Sequence, residues 1–238
     1  MNIRTIALTC QFAGLISLFG CDATRSASDI SYKPILISKI QSVDLEATTS
    51  ATKNTSADAE LASMYSERID RGFRIPAVDT KRLNPEHVRQ AVSYSTDEPP
   101  GTVIVDQGAR FLYYVLPGGR AMRYAVGVGP ASRSFHGTAT IAHKRAWPRW
   151  TPTANMIKRN PEHYGRFRNG VEGGPNNPMG ARALYIHKDG QDTYYRIHGT
   201  NAPSSIGKAV SAGCIRLLAH DIIDLHDRVR PGARVVVR

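Results

Sequence analysis

The sequence predicts a mainly β protein whose body has a two-sheet, sandwich-like architecture. Short runs rich in Val, Ile, Tyr and other strand-forming residues recur from residue 102 onward, separated by Gly and Pro turns. Gly118-Gly119 lies between two of these runs, which is a strong hairpin signal. Helical spacing of apolar residues returns near the C-terminus. Short strands with one helix packed near the end favour two sheets around one core.

The same runs place the individual elements of this body. Strands are predicted over Thr102–Asp106, Arg110–Leu116, Arg120–Val128, Gly137–Ala146, Ala183–His187, Tyr194–His198 and Arg234–Val237. A helix is predicted from Ala219 to Val229, and Pro231-Gly232 ends it. Its inward face is expected to carry Ile222, Ile223, Leu225 and Val229.

The first 58 residues have the composition of an export signal followed by a linker. Positive charge in Met1–Arg4 precedes an apolar run, Thr5–Phe19, that is too short to span a bilayer comfortably. We therefore predict a signal peptide over residues 1–21. Leu18-Phe19-Gly20-Cys21 also resembles a bacterial lipobox, so Cys21 is a candidate for lipid attachment. Residues 22–58 are rich in Ser, Thr, Ala and Asp without periodicity, which predicts a flexible linker.

Residues 59–100 are predicted to form a short helical extension before the main domain. Ala57–Ile69 can form one helix, and Pro85–Tyr94 another, with Asn84 as its N-cap. Asp97-Glu98-Pro99-Pro100-Gly101 has the composition of a boundary. The main domain is then expected to span residues 101–238.

Charge and composition limit the classes of partner. The 238 residues carry a formal net charge of +11, with 41% hydrophobic and 21% charged residues, as expected of a globular enzyme with an acidic partner. Nucleic acid, anionic lipid and an acidic polymer such as peptidoglycan are the candidates. Export disfavours nucleic acid, and no lysine-rich or aromatic-interleaved basic run occurs.

One histidine and one cysteine near the C-terminus carry the chemical information. The segments are Ile197-His198-Gly199-Thr200 and Ser211-Ala212-Gly213-Cys214-Ile215-Arg216-Leu217. A thiol attacks carbonyl carbon as thiolate, and a neighbouring imidazole commonly generates it, so this pair predicts acyl transfer. The alternative is that Cys214 is a small buried hydrophobic residue with no chemical role.

These two segments resemble the signature of the L,D-transpeptidases, whose catalytic domain is of the YkuD type. Trp147–Pro152 and Gly174–Tyr185 also resemble family segments, so the likeness covers roughly Gly101 to Arg238. The resemblance implies an exported enzyme of the periplasm or cell envelope that acts on peptidoglycan stem peptides during cell wall biogenesis, without a metal or an organic cofactor. It also implies the family's β catalytic domain, with a helix after the catalytic loop.

The chemistry expected of this family can be built on the matching residues. His198 takes the proton of Cys214, and the thiolate attacks the bond between an L-diamino acid and a terminal D-alanine. Backbone N–H groups of Gly213 and Cys214 are the expected oxyanion donors. An amine of a second stem then resolves the thioester into a 3-3 cross-link. Water, giving a carboxypeptidase, or the lysine of an outer-membrane protein remain alternative acceptors.

Further site residues are expected around this pair. The candidates for substrate binding are Ser211, Arg216, Gly199, Thr200, Tyr185 and Trp150. For Arg216, a structural salt bridge is an equally good interpretation as a contact to a stem-peptide carboxylate. The commoner family pattern has a histidine where this chain has Ala212, so the proton-transfer role is expected to rest on His198 alone.

Two functions of other classes are alternatives to acyl transfer. Eight histidines suggest a zinc peptidase, but no His-Glu-x-x-His or paired-cysteine spacing occurs, so no metal is expected. An inactive peptidoglycan-binding module is the second rival. The presence of both Cys214 and His198 argues against it, since a pure binder needs no reactive thiol.

Overall fold

The computed structural model describes residue 56 and residues 58–129, 135–208 and 214–238. The predicted signal peptide, the lipobox with Cys21 and almost all of the predicted linker lie outside these residues. The described part that follows residue 45 belongs to one folded unit. Its architecture is mainly β, as the sequence predicts.

Twelve strands and four α-helices are found in the described residues, besides short 3-10 turns. The strands are β1 Arg68–Asp70, β2 Phe73–Ile75, β3 Gln90–Ser93, β4 Val103–Asp106, β5 Phe111–Leu116, β6 Arg120–Ala125, β7 Gly127–Val128, β8 Gly137–Ala146, β9 Arg182–Lys188, β10 Gln191–His198, β11 Ile215–Arg216 and β12 Arg234–Val237. The helices are α1, which includes residues 58–64, α2 Ala154–Arg159, α3 Pro161–Tyr164 and α4 Ala219–Arg228. The strands predicted after residue 101 are confirmed to within a few residues.

Ten of the described strands hydrogen-bond in one continuous order, β3-β6-β5-β4-β12-β8-β9-β10-β11-β7. The C-terminal strand β12 lies in the middle, parallel to β4 and antiparallel to β8. It therefore joins the meander β4–β6 to the strands β8–β10. The short strands β1 and β2 form a separate antiparallel hairpin.

This order folds back on itself, which gives the two facing layers that the sequence predicts. Strands β6 and β7 lie near opposite ends of the order, yet only Val126 separates them along the chain. Leu112 from one half and Leu184 from the other belong to the same buried cluster. One apolar core thus lies between the two halves.

Helix α4 closes this core, as its apolar spacing predicts. Ile222, Leu225 and Val229 are at most 1% exposed and belong to the main cluster. Lys144 on β8 donates to the backbone carbonyls of His226 and Val229 at 2.5 and 2.8 Å. A cation at the C-terminal end of the helix satisfies carbonyls that lack helical partners.

The described part of the N-terminal extension is less helical than the sequence predicts. α1 ends by residue 64 and Arg68 already begins β1, so the helix predicted up to Ile69 is too long. The helix predicted over Pro85–Tyr94 is wrong. Asn84 does cap a turn by accepting from Glu86 N–H, but that turn is one 3-10 turn, Pro85–His87. The chain then enters β3, which pairs with β6 of the main sheet.

Candidate active site

His198 is the last residue of β10 and faces away from the main core. Its neighbour Ile197 is fully buried in that core, and side chains alternate between the two faces of a strand. His198 is nevertheless only 5% exposed. Something other than the main core must therefore cover this face of the sheet.

Cys214 lies directly before β11, the parallel neighbour of β10. Ile197 is opposite Ile215 and His198 opposite Arg216, and the N–H of Leu217 donates to His198 O at 2.9 Å. One step back along both strands places Cys214 beside Arg196. The thiol and the imidazole are thus presented by adjacent strands on the same side of the sheet.

A cavity of about 240 Å³ lies over these two strands. Its described lining comprises Trp150, Met156, His163, Tyr164, Phe167, Pro178, Met179, His198, Cys214 and Arg216. His198 and Arg216 lie on β10 and β11, and Cys214 lies directly before β11. The other lining residues come from residues 147–181, which we call the lid segment. The lid segment is what covers His198.

The lid segment is built from short, individually capped turns. Thr153 Oγ1 accepts from Met156 N–H at the start of α2, and Asn160 Oδ1 accepts from His163 N–H at the start of α3. Trp150 and Val171 form an antiparallel bridge across the segment, with N–H to O=C distances of 2.9 and 2.7 Å. Such local caps let short helices persist where length alone would not stabilise them.

Asn177 ties the two arms of the lid segment together. Its side chain is 1% exposed, and its amide nitrogen lies 3.0 Å from the carbonyl oxygens of Pro148, Val171 and Glu172. Its Oδ1 accepts from Met179 N–H at 2.8 Å. This buried amide therefore fixes the backbone that brings Met179 to the cavity.

His198 is held in its neutral form. Burial lowers its pKa to about 4, and the guanidinium groups of Arg216 and Arg196 act in the same direction. The backbone carbonyls of Gly199 and Met179 oppose this shift. Its buried Nδ1 has no hydrogen-bond partner among the described residues. A neutral imidazole is the form that can accept a proton.

The thiol of Cys214 is also neutral at rest. It is half-buried, and burial raises its pKa above the usual value for a cysteine. The backbone N–H of Arg196 and the guanidinium groups of Arg196 and Arg216 act in the opposite direction by favouring the thiolate. The site therefore holds a protonated thiol near a neutral imidazole. Arg216 and Arg196 add positive charge nearby, although both Nη atoms of Arg196 already donate to Asp192 at 2.7 Å.

Arg216 brings a buried positive charge to the cavity. Its Nε and Nη2 are buried and have no hydrogen-bond partner among the described residues. Desolvation lowers the pKa of this guanidinium, although not enough to discharge an arginine. A buried donor left unsatisfied costs stability, so an anionic group bound in the cavity would relieve that cost.

Comparisons with known proteins show the family to which the sequence belongs. The L,D-transpeptidase catalytic domain of the YkuD family matches residues 100–237. The probable L,D-transpeptidase ErfK/SrfK of Escherichia coli is 37% identical over 138 residues, covering 57% of this chain and 43% of that protein. The putative L,D-transpeptidase YkuD of Bacillus subtilis is 49% identical over 63 residues, covering 26% and 36% of the two chains.

This chain belongs to the YkuD family of L,D-transpeptidase catalytic domains. The matched residues contain β4 to β12, the lid segment and α4, whereas β1, β2 and β3 precede them. The chain spans less than half the length of the E. coli relative.

Two solved structures resemble this chain more weakly in three dimensions. A structure described as a probable carnitine operon oxidoreductase caia from Brucella melitensis is 47% identical, with a TM-score of 0.47, over 67% of this chain and 99% of that one. L,D-transpeptidase 3 from Mycobacterium tuberculosis is 17% identical, with a TM-score of 0.42, over 59% of this chain and 61% of that one. Both TM-scores are below 0.5, so the family assignment rests on the sequence match.

Gly199 and Thr200, predicted to bind substrate, continue the backbone after His198. The N–H of Gly199 donates to Arg182 O at 3.0 Å, and a side chain at the facing Gly180 would approach Thr200 N to 2.7 Å. Thr200 Oγ1 accepts from Ala202 N–H at 3.0 Å. Thr200 lines a separate cavity of about 460 Å³. Both residues pack the strand end that carries His198.

The remaining predicted site residues divide into three groups. Trp150 lies in the wall of the Cys214 cavity. Tyr185 is not part of the described lining of that cavity. The Tyr185 ring stacks on His143 with centroids 4.2 Å apart, and the Arg196 guanidinium lies over the same ring, 4.4 Å from its centroid. Ser211 and Gly213 lie outside the described residues.

Several cavity residues of the lid segment were missed in the sequence. They are Met156, His163, Tyr164, Phe167, Pro178 and Met179. The capping residues Thr153 and Asn160, the latter followed by Pro161, were the available signals for two short helices. Nothing in that spacing indicates that the apolar side chains would face a cysteine.

No group of three or more metal-ligating side chains with suitable geometry occurs within the described ranges. Among the same residues, no helix is both long and apolar enough to cross a membrane.

Proposed function

We propose that this protein is a peptidoglycan L,D-transpeptidase that uses Cys214 as nucleophile. Its substrate would be a tetrapeptide stem, cleaved between an L-diamino acid and the terminal D-alanine. The observation that supports this most is the one cavity lined by Cys214, His198 and Arg216. A thiol near an imidazole suits acyl transfer, and a buried cation suits a substrate that ends in a carboxylate.

The first half-reaction moves the acyl group to sulfur. Neutral His198 takes the thiol proton while Cys214 attacks the carbonyl carbon, which gives a tetrahedral oxyanion. The backbone N–H groups of Cys214 and Gly213 are the proposed donors to this oxyanion, and one such donor is worth about 3 kcal/mol. His198 then returns the proton to the amine of D-alanine as the C–N bond breaks, leaving a thioester.

The second half-reaction regenerates the thiol. The side-chain amine of a second stem attacks the thioester carbonyl, its proton passes to His198 and then to the departing sulfur, and a 3-3 cross-link results. Water in place of the amine would give an L,D-carboxypeptidase. The lysine of an outer-membrane protein would give attachment of that protein to the wall.

The other site residues receive supporting roles in this proposal. Arg216 would bind the donor carboxylate, because its buried guanidinium has unused donors among the described residues. Trp150 would pack on the donor stem from the lid segment. Ser211 would contact the donor, while Gly199 and Thr200 would hold His198 in place. Tyr185 receives no role, because its ring packs on His143 and Arg196.

The proposed cellular setting follows from the sequence. A signal peptide over residues 1–21 would export the enzyme to the periplasm or cell envelope, where its substrate occurs. Attachment of lipid to Cys21 would anchor it to a membrane. Residues 22–58 would then serve as a tether that lets the enzyme reach the wall.

Mass spectrometry of purified disaccharide-tetrapeptide incubated with the protein tests this function. We expect release of D-alanine and a dimer cross-linked between two diamino acids. Both products should disappear in Cys214→Ala and in His198→Ala, since either change removes a partner in the proton transfer.

The other outcomes separate the alternatives. D-alanine release without dimer would indicate carboxypeptidase activity or the need for a protein acceptor, which a lysine-containing outer-membrane protein fragment can test. No turnover and no acyl group on Cys214 would contradict the proposal and favour an inactive peptidoglycan-binding module.

A further inference from the structure

The lid segment leaves and rejoins the sheet at one place. It begins at Trp147, directly after β8, and ends at Ala181, directly before β9. The N–H of Trp147 donates to Ala181 O at 2.8 Å, which pairs the two ends. The position of the whole lid segment over Cys214 therefore depends on this junction.

One carboxylate from outside the family-matched residues contacts both sides of the junction. Asp70 ends β1, and its Oδ2 accepts from the indole N–H of Trp147 at 2.7 Å. Arg182, the first residue of β9, donates to Asp70 Oδ2 at 2.7 Å and to Oδ1 at 2.8 Å. The hairpin β1–β2 thus joins both ends of the lid segment through a single side chain.

These contacts are buried and electrostatically matched. The side chains of Arg182 and Asp70 are 5% and 10% exposed. The hydrogen bonds from Arg182, followed by that from Trp147, lower the pKa of Asp70, so the group is a carboxylate at neutral pH. A bidentate ion pair of this kind fixes both position and orientation.

The junction also carries backbone strain that packing must offset. Trp147 has φ of 44°, in the left-handed region that bulky residues rarely adopt. Its ring packs on Phe73 of the same hairpin, with centroids 4.6 Å apart. The hairpin therefore holds Trp147 both by its indole N–H and by its ring.

The same junction is coupled to the strand that carries His198. Arg182 O accepts from Gly199 N–H at 3.0 Å, and the next residue, Ala183, pairs with His198. A shift of Arg182 would therefore move the backbone beside His198 as well as the end of the lid segment. Displacements near 1 Å are enough to impair catalysis by large factors.

We propose that Asp70 is a positioning residue of the active site. Through Trp147 and Arg182 it holds the lid segment and the paired strands β9 and β10 in the arrangement that binds the donor stem. This inference rests on the proposed transpeptidase function for its kinetic consequence. The residue lies in an N-terminal hairpin that the family match does not include.

Three variants of the full chain test the proposal. Asp70→Asn keeps the size of the side chain but removes the ion pair. Trp147→Phe removes only the indole N–H and keeps an aromatic ring on Phe73. Glu67→Gln is the matched control, because Glu67 pairs with Arg74 in the same hairpin with side chains 47% and 66% exposed.

Three measurements are made on each variant. They are hydrogen–deuterium exchange over residues 147–181, the rate of alkylation of Cys214 by iodoacetamide, and kcat and KM for D-alanine release from disaccharide-tetrapeptide. For Asp70→Asn we expect faster lid exchange, at least threefold faster alkylation, and KM raised about tenfold. Trp147→Phe should change all three in the same direction by less, and Glu67→Gln should match wild type.

The outcomes decide separately on the two proposals. Asp70→Asn behaving like Glu67→Gln, or a loosened lid segment with unchanged kcat/KM, would overturn the positioning role. Should circular dichroism report that Asp70→Asn is unfolded, Trp147→Phe decides by the same criteria. Absence of turnover in wild type would contradict the proposed function, whereas exchange and alkylation would still establish or refute the contribution of Asp70.

Discussion

At the residue scale, burial favours the uncharged forms of both His198 and Cys214. The pKa of His198 falls to about 4, and that of Cys214 rises. These shifts disfavour a preformed thiolate–imidazolium pair, so in the proposed reaction the proton moves as sulfur attacks. The cations of Arg196 and Arg216 lie close enough to favour the charged state of sulfur once it forms.

The pH dependence of kcat/KM should reflect this depressed histidine. Since only neutral His198 accepts a proton, D-alanine release should persist below pH 6.5 and fall only as the pH approaches about 4. Rates in overlapping buffers measure this, with circular dichroism confirming that the protein stays folded. Half-loss of activity near pH 6.5 would mean that His198 is not the proton acceptor or is not buried in solution.

Arg216 gives a second prediction at this scale. Arg216→Gln removes the buried charge, so KM for the tetrapeptide donor should rise by about 10- to 100-fold, as expected for loss of a charge-assisted hydrogen bond. Arg234→Gln is the control, because Arg234 pairs with Glu98 at 2.7 Å and is half-exposed. A donor with an amidated C-terminus should bind wild type and Arg216→Gln alike. An equal loss for acid and amide donors would contradict a carboxylate contact.

Site residues with reactive side chains can be predicted from the sequence. Those that reach the site only through the path of the backbone cannot. Cys214 and His198 were singled out because a cysteine and a histidine, each beside a glycine, suggest a reaction; their catalytic roles stay predictions until variants are measured. Tyr164 and Phe167 gave no such signal, since aromatic residues in β proteins usually lie in the core. Only the path of the lid segment places them at the cavity.

At the element scale, prediction succeeded where the local pattern and the tertiary fold agree. Strand β8 spans Gly137–Ala146, as predicted, because its pattern suits a strand and both neighbours in the sheet pair with it. Helix α4 has the predicted apolar face because that face closes the core. Elements in which the local residue pattern agrees with the tertiary packing can be predicted from the sequence.

The N-terminal segment illustrates the opposite case. Asn84 and Pro85 form a good helix start, and the chain does make one turn there. Pairing with β6 then overrides the helical tendency. Ala91 and Val92 lie opposite Met122 and Ala121 of β6, which would otherwise be the edge strand of the sheet. Local propensity is a weak prior when a strand partner is available.

Gly173 tests how tightly the lid segment is built. A Cβ at this position would overlap the backbone carbonyl of Trp147, and backbone cannot yield as a flexible side chain can. Gly173→Ala should lower the thermal midpoint by about 5 °C and also reduce kcat/KM. Gly108→Ala is the control, since its new Cβ would lie at an ordinary 3.5 Å from Asp106. Equal midpoints for the two variants would mean that the lid segment adapts at no cost.

At the scale of the whole molecule, the described N-terminal residues and the family-matched domain share one folded unit. β3 extends the main sheet beyond β6, and Tyr65 of the extension is fully buried against α4. The predicted domain boundary at residue 101 stays a prediction about sequence organisation. Composition could not reveal this packing, because it depends on contacts that only the fold brings together, such as Tyr65 with Asp221 and Asp70 with Arg182.

A buried charged cluster lies at this contact. Tyr65 donates to Asp221 Oδ1 at 2.9 Å, and Arg89 Nη1 lies 3.7 Å from the same oxygen. Asp221 is fully buried at the start of α4, and its Oδ2 has no hydrogen-bond partner among the described residues. Burial raises the pKa of Asp221 to about 7; Arg89 and the hydrogen bond from Tyr65 oppose this shift, and the nearby carboxylate of Asp224 adds to it.

Asp221 should therefore make the protein less stable as the pH rises. Between about pH 4 and 7 the folded state keeps a proton on Asp221 that the unfolded state has released, so this group lowers the free energy of unfolding by at most about 1.4 kcal/mol per pH unit. Asp221→Asn keeps an acceptor for Tyr65 and carries no charge at any pH. Its stability relative to wild type should rise from pH 4 to 7 and then level off.

Urea unfolding of wild type and Asp221→Asn across this pH range isolates the effect, because the histidines whose pKa is depressed contribute equally to both proteins. Asp189→Asn, a change in an exposed turn, is the control and should give no such pH-dependent difference. A constant difference for Asp221→Asn would mean that Asp221 has the same pKa folded and unfolded. A difference in the free energy of unfolding that rises with pH would mean that the folded protein is most stable when Asp221 is protonated. Mild acidity would then stabilise the packing of the N-terminal extension on α4.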